Sequence, residues 1–287
     1  MALKDLLVYV DQSKHASGRL RLAADLARRH QSRLTALYVK ELSPAQRHEQ
    51  SIAELGLGAA EAMDHTNRTI RQSIGESVRV LRSALEDIGR NHGVEVEWRC
   101  LDGAASTLVP QHARFADLCI LSQDTSAVAT ATGYTFAEQL LFVTGRPVVF
   151  IPAQGSFDTL GRHVFVAWNS SRASTRAVND ALPLIERAEK VTLLAVNSAE
   201  FAERYGALPP ERMVEHLQRH GASVDGIWLN GIPSGSIADA VQAEAHKVGA
   251  DLIVAGAFGH PRLWEKMMGG VTRDLLARMN LPVLMSY

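Results

Sequence analysis

Cysteines, long apolar runs and an excess of either charge are all lacking in this sequence. Its 287 residues include only two cysteines, Cys100 and Cys119, which do not have the CxxC spacing of a metal or redox pair. A disulfide scaffold is therefore excluded, and we expect structural, buried thiols in a reducing compartment. Lysine and arginine number 30 against 31 aspartates and glutamates, so there is no basic excess to bind a nucleic-acid backbone.

Signals for membranes, metals and common nucleotide enzymes are also missing. No segment reaches the roughly 18 consecutive apolar residues of a spanning helix, and residues 3–10 read as a first strand rather than a signal peptide. We expect a cytoplasmic protein whose partners are neither nucleic acid nor membrane. The histidines show no HExxH or paired Cys/His spacing, so no metal site is predicted. The absence of GxxxxGK[ST] and of GxGxxG after the first strand argues against a P-loop enzyme and a dinucleotide dehydrogenase.

The chain contains an internal repeat. Residues 6–13 align without a gap with residues 164–171, and each stretch is followed by a helical segment and a second apolar strand. Both copies end on an apolar strand that follows a proline, Pro147 in the first and Pro282 in the second. We call the two repeats the N-terminal copy and the C-terminal copy.

Strands alternate with helices throughout both copies. This order predicts an α/β protein with two open parallel sheets and helices on both faces of each sheet. The small and polar residues 153–156 separate the last strand of one copy from the first strand of the next. We therefore expect domains at residues 1–153 and 160–287.

A glycine-rich loop near the C-terminus is the most informative local motif. Gly256 and Gly259 follow an apolar, β-branched run, and Gly269 and Gly270 precede apolar residues at helical spacing. Glycines in a strand–loop–helix order allow close backbone approach, and the free N–H groups of the helix favour an anion such as phosphate. The same glycines are consistent with a plain turn and a helix start, and spacing alone leaves both interpretations open.

The pattern G-x2-G-x9-G, followed by a small residue and then Val-Thr, resembles the ATP-binding signature of the universal stress protein family. Gly256, Gly259 and Gly269 fall on its three glycines. The resemblance covers nearly the whole chain as two tandem copies. It implies that each copy is a five-stranded parallel sheet of order 3-2-1-4-5, the adenine nucleotide alpha-hydrolase-like (HUP) fold. Ligands in such sheets bind at the carboxyl ends of strands one and four, where the strand order reverses.

The resemblance also implies which copy binds nucleotide. The expected nucleotide-binding residues of the C-terminal copy are Ala167, Trp168, Asn169, Val196, Gly256, Phe258, Gly259, His260, Gly269, Gly270, Val271 and Thr272. Val196 would contact adenine through its backbone, and His260 could reach a phosphate or be an ordinary solvated loop residue. No residue is predicted to be catalytic.

Two positions of the C-terminal copy depart from the family's pattern. Its ATP-binding members carry Ser or Thr directly after the third glycine, where this chain has Gly270. Their acidic residue, which contacts the nucleoside, is Asn169 here, whereas the N-terminal copy keeps it as Asp11. Both Asp11 and Asn169 are also ordinary turn residues after a strand.

The N-terminal copy lacks the glycines. Ser122 to Thr125 lie where Gly256 to Gly259 lie in the other copy, and Thr135 falls near the position of Gly270. Side chains at these places would block a phosphate. We therefore expect the N-terminal copy to be a packing or regulatory partner.

Three functions remain open from the sequence. The first is a non-catalytic stress-response protein that binds ATP, with or without Mg²⁺, or another adenine nucleotide in its C-terminal copy. The second is a slow ATPase or self-phosphorylating enzyme with Thr272 near the terminal phosphate, although we identify no arginine finger or water-orienting residue. The third is an interaction module that has lost nucleotide binding, which Gly270 and Asn169 favour.

We also expect the two copies to pair through their final strands. An exposed apolar edge strand is an aggregation hazard unless it is paired or covered. The chain would then resemble the dimer formed by single-copy members, and a homodimer of the chain is a further expectation.

Overall fold

The computed structural model describes residues 2–13, 15–41, 60–123, 134–197, 209–258 and 270–287. The strands are β1 (Asp5–Val10), β2 (Arg33–Lys40), β3 (Val96–Asp102), β4 (Leu118–Ser122), β5 (Val148–Ile151), β6 (His163–Trp168), β7 (Lys190–Val196), β8 (Val224–Leu229), β9 (Leu252–Gly256) and β10 (Val283–Ser286). The α-helices in the described ranges are α1 (Ala16–His30), α2 (Ala60–His92), α3 (Ala105–Ala113), α4 (Phe136–Thr144), α5 (Arg172–Ile185), α6 (Glu211–Arg219), α7 (Ile237–Lys247) and α8 (Gly270–Arg278).

All ten strands belong to one sheet, in the order β3-β2-β1-β4-β5-β10-β9-β6-β7-β8. Each copy therefore has the order 3-2-1-4-5 with parallel neighbours, as the resemblance implied. The two five-stranded sheets are continuous with each other, because β5 and β10 pair antiparallel and join the two halves edge to edge. The two Pro-led apolar strands satisfy each other's backbone groups, and neither is left as an open edge.

The strands are apolar on both sides because helices cover both faces of the sheet. One core contains Leu118, Ile120 and Leu284, and helices α1, α2, α5 and α6 pack over it. The opposite core contains Cys119 and Val283, and it is covered by α3, α4, α7 and α8. Both cores run without a break from one copy into the other, which gives the junction between the copies a packed interior.

None of the helices in the described part of the chain combines the length and the apolar character needed to cross a bilayer.

Candidate functional site

The sheet reverses its strand order at two places, which create two matched crevices. The N-terminal crevice lies at the carboxyl ends of β1 and β4, and the C-terminal crevice lies at those of β6 and β9. In the second, Ala167 pairs with Ala255, so the chain leaves β6 and β9 side by side at Asn169 and Ala257.

Most of the expected nucleotide-binding residues lie around this C-terminal crevice. Ala167 and Trp168 end β6, Val196 ends β7, and Gly256 ends β9. Asn169 and Phe258 follow β6 and β9, and Gly270, Val271 and Thr272 form the first turn of α8. Gly259, His260 and Gly269 lie outside the described residues.

Gly256 is a glycine because helix α5 passes directly against it. A Cβ atom at this position would lie 2.3 Å from the Ser174 backbone nitrogen and 2.4 Å from the Ala173 carbonyl carbon. Both neighbours are main-chain atoms, which cannot move aside as a side chain can. The need for glycine at this position is thus explained by packing of β9 against α5. Gly270 differs, since a Cβ there would have none of the described atoms within 4 Å.

Asn169 forms a turn and keeps one donor free. Its Oδ1 accepts a hydrogen bond from the Ser171 backbone N–H at 3.2 Å, and Ser170 between them has a left-handed φ of 58°. Ser171 then caps α5 by accepting from the Ser174 backbone N–H at 3.1 Å. The Asn169 Nδ2 group has no hydrogen-bond partner among the described residues, so it can donate to a ligand oxygen.

The end of β7 is held by a residue that our sequence analysis did not select. Asn197 has a φ of 53°, and its side chain donates to the Ile232 carbonyl at 2.7 Å and accepts from the Ile232 N–H at 3.1 Å. These bonds tie the turn after β7 to the loop after β8 and fix the backbone that follows Val196. An asparagine directly after an apolar strand was the available signal, because Asn tolerates a left-handed backbone.

Thr272 has a structural partner inside the loop. Its side-chain oxygen accepts a hydrogen bond from the Phe258 backbone N–H at 3.1 Å, and the residue is 4% exposed. The hydroxyl that the sequence placed near phosphate therefore joins the end of β9 to the first turn of α8. Val271 is partly buried against the core beneath α8.

Phe258 contributes to an aromatic cluster between the copies. Its ring stacks on Phe142 of α4 at a centroid distance of 4.5 Å, and Tyr287 meets both rings edge-on. The Arg172 guanidinium, at the start of α5, lies 5.8 Å from the centre of the Tyr287 ring. Contacts among Phe142, Tyr287 and Arg172 could not be predicted from the sequence, because nothing local to these residues indicates that they meet.

In the N-terminal crevice, the acidic residue Asp11 interacts with three neighbouring residues of the protein. Arg19 Nη2 lies 3.0 Å from Asp11 Oδ1, and the arginine side chain is 1% exposed. Asp11 also accepts hydrogen bonds from the Ser13 N–H and the Ser122 hydroxyl, each at 2.9 Å. Burial by itself raises the pKa of Asp11, but the charge of Arg19 and the bonds from Ser13 hold the pKa below its ordinary value. Asp11 is thus a charged carboxylate whose partners all come from its own copy.

The start of helix α4, beside the N-terminal crevice, is capped by side chains of the protein. Thr135 and Glu138 form a reciprocal capping box at the first turn of α4, with the Thr135 N–H donating to Glu138 Oε2 at 2.8 Å. These two bonds occupy backbone donors that could otherwise bind an anion. Glu138 is buried, and its other oxygen lies 2.7 Å from Arg273 Nε of α8.

Comparison with known proteins supports the family resemblance. Residues 232–286, which span α7, β9, α8 and β10, match the model of the universal stress protein family. The whole chain is similar to a universal stress protein structure from Archaeoglobus fulgidus DSM 4304, with 16% identity, coverage of 98% of this chain and 95% of that one, and a TM-score of 0.69. A second structure, described as a universal stress protein from Pseudomonas aeruginosa UCBPP-PA14, has 15% identity and a TM-score of 0.58, with coverage of 99% of this chain and 93% of that one.

No curated protein matches the sequence. The resemblance is thus confirmed in two respects: the family's model matches the C-terminal segment, and the family's fold extends along the whole chain. At these identities the structural similarity establishes the fold alone.

Proposed function

We propose that this chain, which has the universal stress protein fold along its length, is a stress-response protein that binds ATP or another adenine nucleotide in its C-terminal copy. It acts by binding and has a regulatory, non-catalytic role. The two copies are domains of residues 1–153 and 160–287, and only the second domain binds nucleotide.

The contrast between the two crevices carries this proposal. The N-terminal crevice holds the carboxylates of Asp11 and Glu138, both fully hydrogen bonded within the protein. In the C-terminal crevice, Asn169 stands at the place of Asp11, and its Nδ2 group has no partner among the described residues. Gly270 stands near the place of Thr135 at a helix start, and no described atom lies within 4 Å of a Cβ added there. The donors of the first arrangement are taken by side chains of the protein, whereas the second offers a side-chain amide and main-chain N–H groups at a helix start to a polyanion.

Each part of a nucleotide has a matching group in the C-terminal crevice. The Asn169 amide can donate to a ribose hydroxyl, and the backbone after β7, which Asn197 holds in place, would contact the adenine. The first turn of α8 offers main-chain N–H groups to phosphate, and Arg172 is an exposed cation at the start of α5. The nucleotide would bind as an anion, with or without Mg²⁺.

Self-phosphorylation at Thr272 is not favoured by this geometry. The hydroxyl is buried and already accepts a hydrogen bond from the Phe258 N–H. Transfer to it would require the loop to leave this arrangement, so we assign Thr272 a structural role.

Isothermal titration of the protein with ATP and Mg²⁺ tests the proposal. The most informative variant is Gly270→Asp, since no described atom lies within 4 Å of a Cβ added there and an acidic residue in the first turn suits a helix. A carboxylate about 5 Å from phosphate costs about 1 kcal/mol per phosphate charge in water. We therefore expect affinity for ATP to fall about tenfold or more while the fold is kept.

The matched control is Gly18→Asp. Gly18 lies in the first turn of α1 beside the N-terminal crevice, and a Cβ there also meets nothing within 4 Å. We expect one ATP per chain and wild-type affinity in this control. Absence of binding by the wild-type protein at millimolar ATP would contradict the proposal. Loss of binding in Gly18→Asp but not in Gly270→Asp would indicate that the site lies in the N-terminal copy.

A further inference from the structure

Helix α8, whose first turn borders the C-terminal crevice, is held in place by the N-terminal copy. Phe142 stacks on Phe258, the residue whose N–H is bonded to Thr272 in the first turn of α8. Glu138 pairs with Arg273 one residue further on. Gln123 reaches the other end of the helix. The N-terminal copy thus contacts α8 along its length.

The Glu138–Arg273 pair is the most constrained of these contacts. The Glu138 side chain is 2% exposed, and both of its oxygens are used, one by the Thr135 N–H at 2.8 Å and one by Arg273 Nε at 2.7 Å. A buried carboxylate needs its charged partner, since an unpaired charge in the interior is costly. Arg273 therefore has to remain beside α4, and this requirement restricts the rotation of α8 about its axis.

Gln123 restricts the position of α8 along its axis. Its Nε2 group donates to the carbonyls of Leu276 and Ala277, each at 2.9 Å. These carbonyls belong to the last turn of the helix, which lacks partners within the helix itself. The Gln123 Oε1 atom accepts from the Ala153 N–H at 3.0 Å, so both polar atoms of the side-chain amide are hydrogen bonded.

We propose that the N-terminal copy sets the nucleotide affinity of the C-terminal copy by positioning α8, and that Glu138 is the positioning residue that acts through Arg273. This inference rests on the proposed function, because the ligand is the same nucleotide. Helix N–H groups bind an anion only when they point at it, so the position of α8 determines how strongly its N–H groups can bind an anion in the crevice. By linkage, nucleotide binding also stabilises the contact of α8 with α4 to the same extent.

The test replaces Glu138 by Gln. A glutamine can keep the capping box with Thr135 but not the ion pair with Arg273. Two quantities are measured well below the melting temperature: ATP affinity by titration calorimetry, and hydrogen exchange of the α8 amides in the nucleotide-free protein. We expect about tenfold weaker ATP binding, within the usual range of coupling between sites, together with faster exchange in α8 but not in α7.

Two further variants separate positioning from general stability. Arg273→Gln should weaken binding as Glu138→Gln does, whereas Arg273→Lys should restore most of the affinity because an ammonium can still pair with Glu138. The control Glu86→Gln removes a carboxylate that lies 2.9 Å from Arg82 on α2, far along the chain from α8. It should change neither measurement.

The exchange measurement keeps this inference separate from the proposed function. If the wild-type protein binds no ATP, the proposed function fails, while faster α8 exchange in Glu138→Gln still supports the positioning of α8 by the N-terminal copy. Unchanged exchange in α8 would overturn the inference whatever ATP does. If the wild-type protein binds ATP, an unchanged ATP affinity in Glu138→Gln would overturn the inference as well.

Discussion

Replacing Gly256 by alanine should destabilise the protein by about 2 kcal/mol, in the range of overpacked interiors. The added Cβ atom would lie 2.3 Å from the Ser174 nitrogen, 2.4 Å from the Ala173 carbonyl carbon and 2.8 Å from the Ala173 oxygen. Ordinary contacts to a Cβ begin near 3.4 Å. The strand end and the first turn of α5 would therefore have to separate by about 1 Å.

Such a separation would disturb packing on both sides of Gly256. Helix α5 covers β9 and β10, and its buried Ala173 and Ala177 face the sheet. Moving the helix outward would open gaps around these small side chains, which the surrounding structure cannot fill by a change of rotamer.

The assay is urea unfolding at pH 7, with the free energy of unfolding compared between variants. Gly270→Ala is the matched control, because the same methyl group at this exposed helix start has no atom of the described residues within 4 Å. We expect the control to lie within about 0.5 kcal/mol of wild type, as surface substitutions usually do. Equal stabilities of Gly256→Ala and Gly270→Ala would refute the argument that contact with α5 requires a glycine at 256.

Two other predictions concern acid stability and the turn after β7. His30 is 3% exposed, and burial, helped by the charges of Arg187 and Arg29, lowers its pKa from 6.5 to about 4. The folded state thus binds this proton less readily than the unfolded state, so stability is lost as pH falls from about 6.5 towards 4. The loss should reach about 2 kcal/mol at pH 5, and urea unfolding of His30→Leu should lack this part of the pH dependence; an equal slope in both proteins would contradict the assignment. Asn197→Ala should lose both bonds to Ile232 and also strain the left-handed backbone, whereas Asn197→Gly loses the bonds alone. Thermal unfolding should therefore find the alanine variant less stable than the glycine variant by about 1 kcal/mol. A glycine variant less stable than the alanine variant would contradict the argument from backbone strain.

The local and repeating features of this protein could be read from its sequence. Apolar runs bounded by glycine, proline and polar residues predicted the strands, and the alignment of the two copies predicted their matched order. Ser122 in place of Gly256 indicated that the N-terminal crevice differs from the C-terminal one. The ends of the edge strand β3 (Val96–Asp102) are hard to predict from the sequence, because the strand is partly exposed along most of its length and shows weak alternation of apolar and polar residues.

Contacts between distant parts of the chain were decided only by the tertiary structure. Gly256 fits the phosphate-loop pattern, yet its lack of a side chain is required by α5, which the pattern does not contain. Glu138 and Arg273 are separated by 135 positions and are neighbours only because β5 and β10 join the two copies. Periodicity reports which face of an element is buried, but the partner of a buried charge depends on how the elements are arranged in space. The ion pair of Asp11 with Arg19 and the contacts of the N-terminal copy with α8 could therefore be seen only in the folded chain.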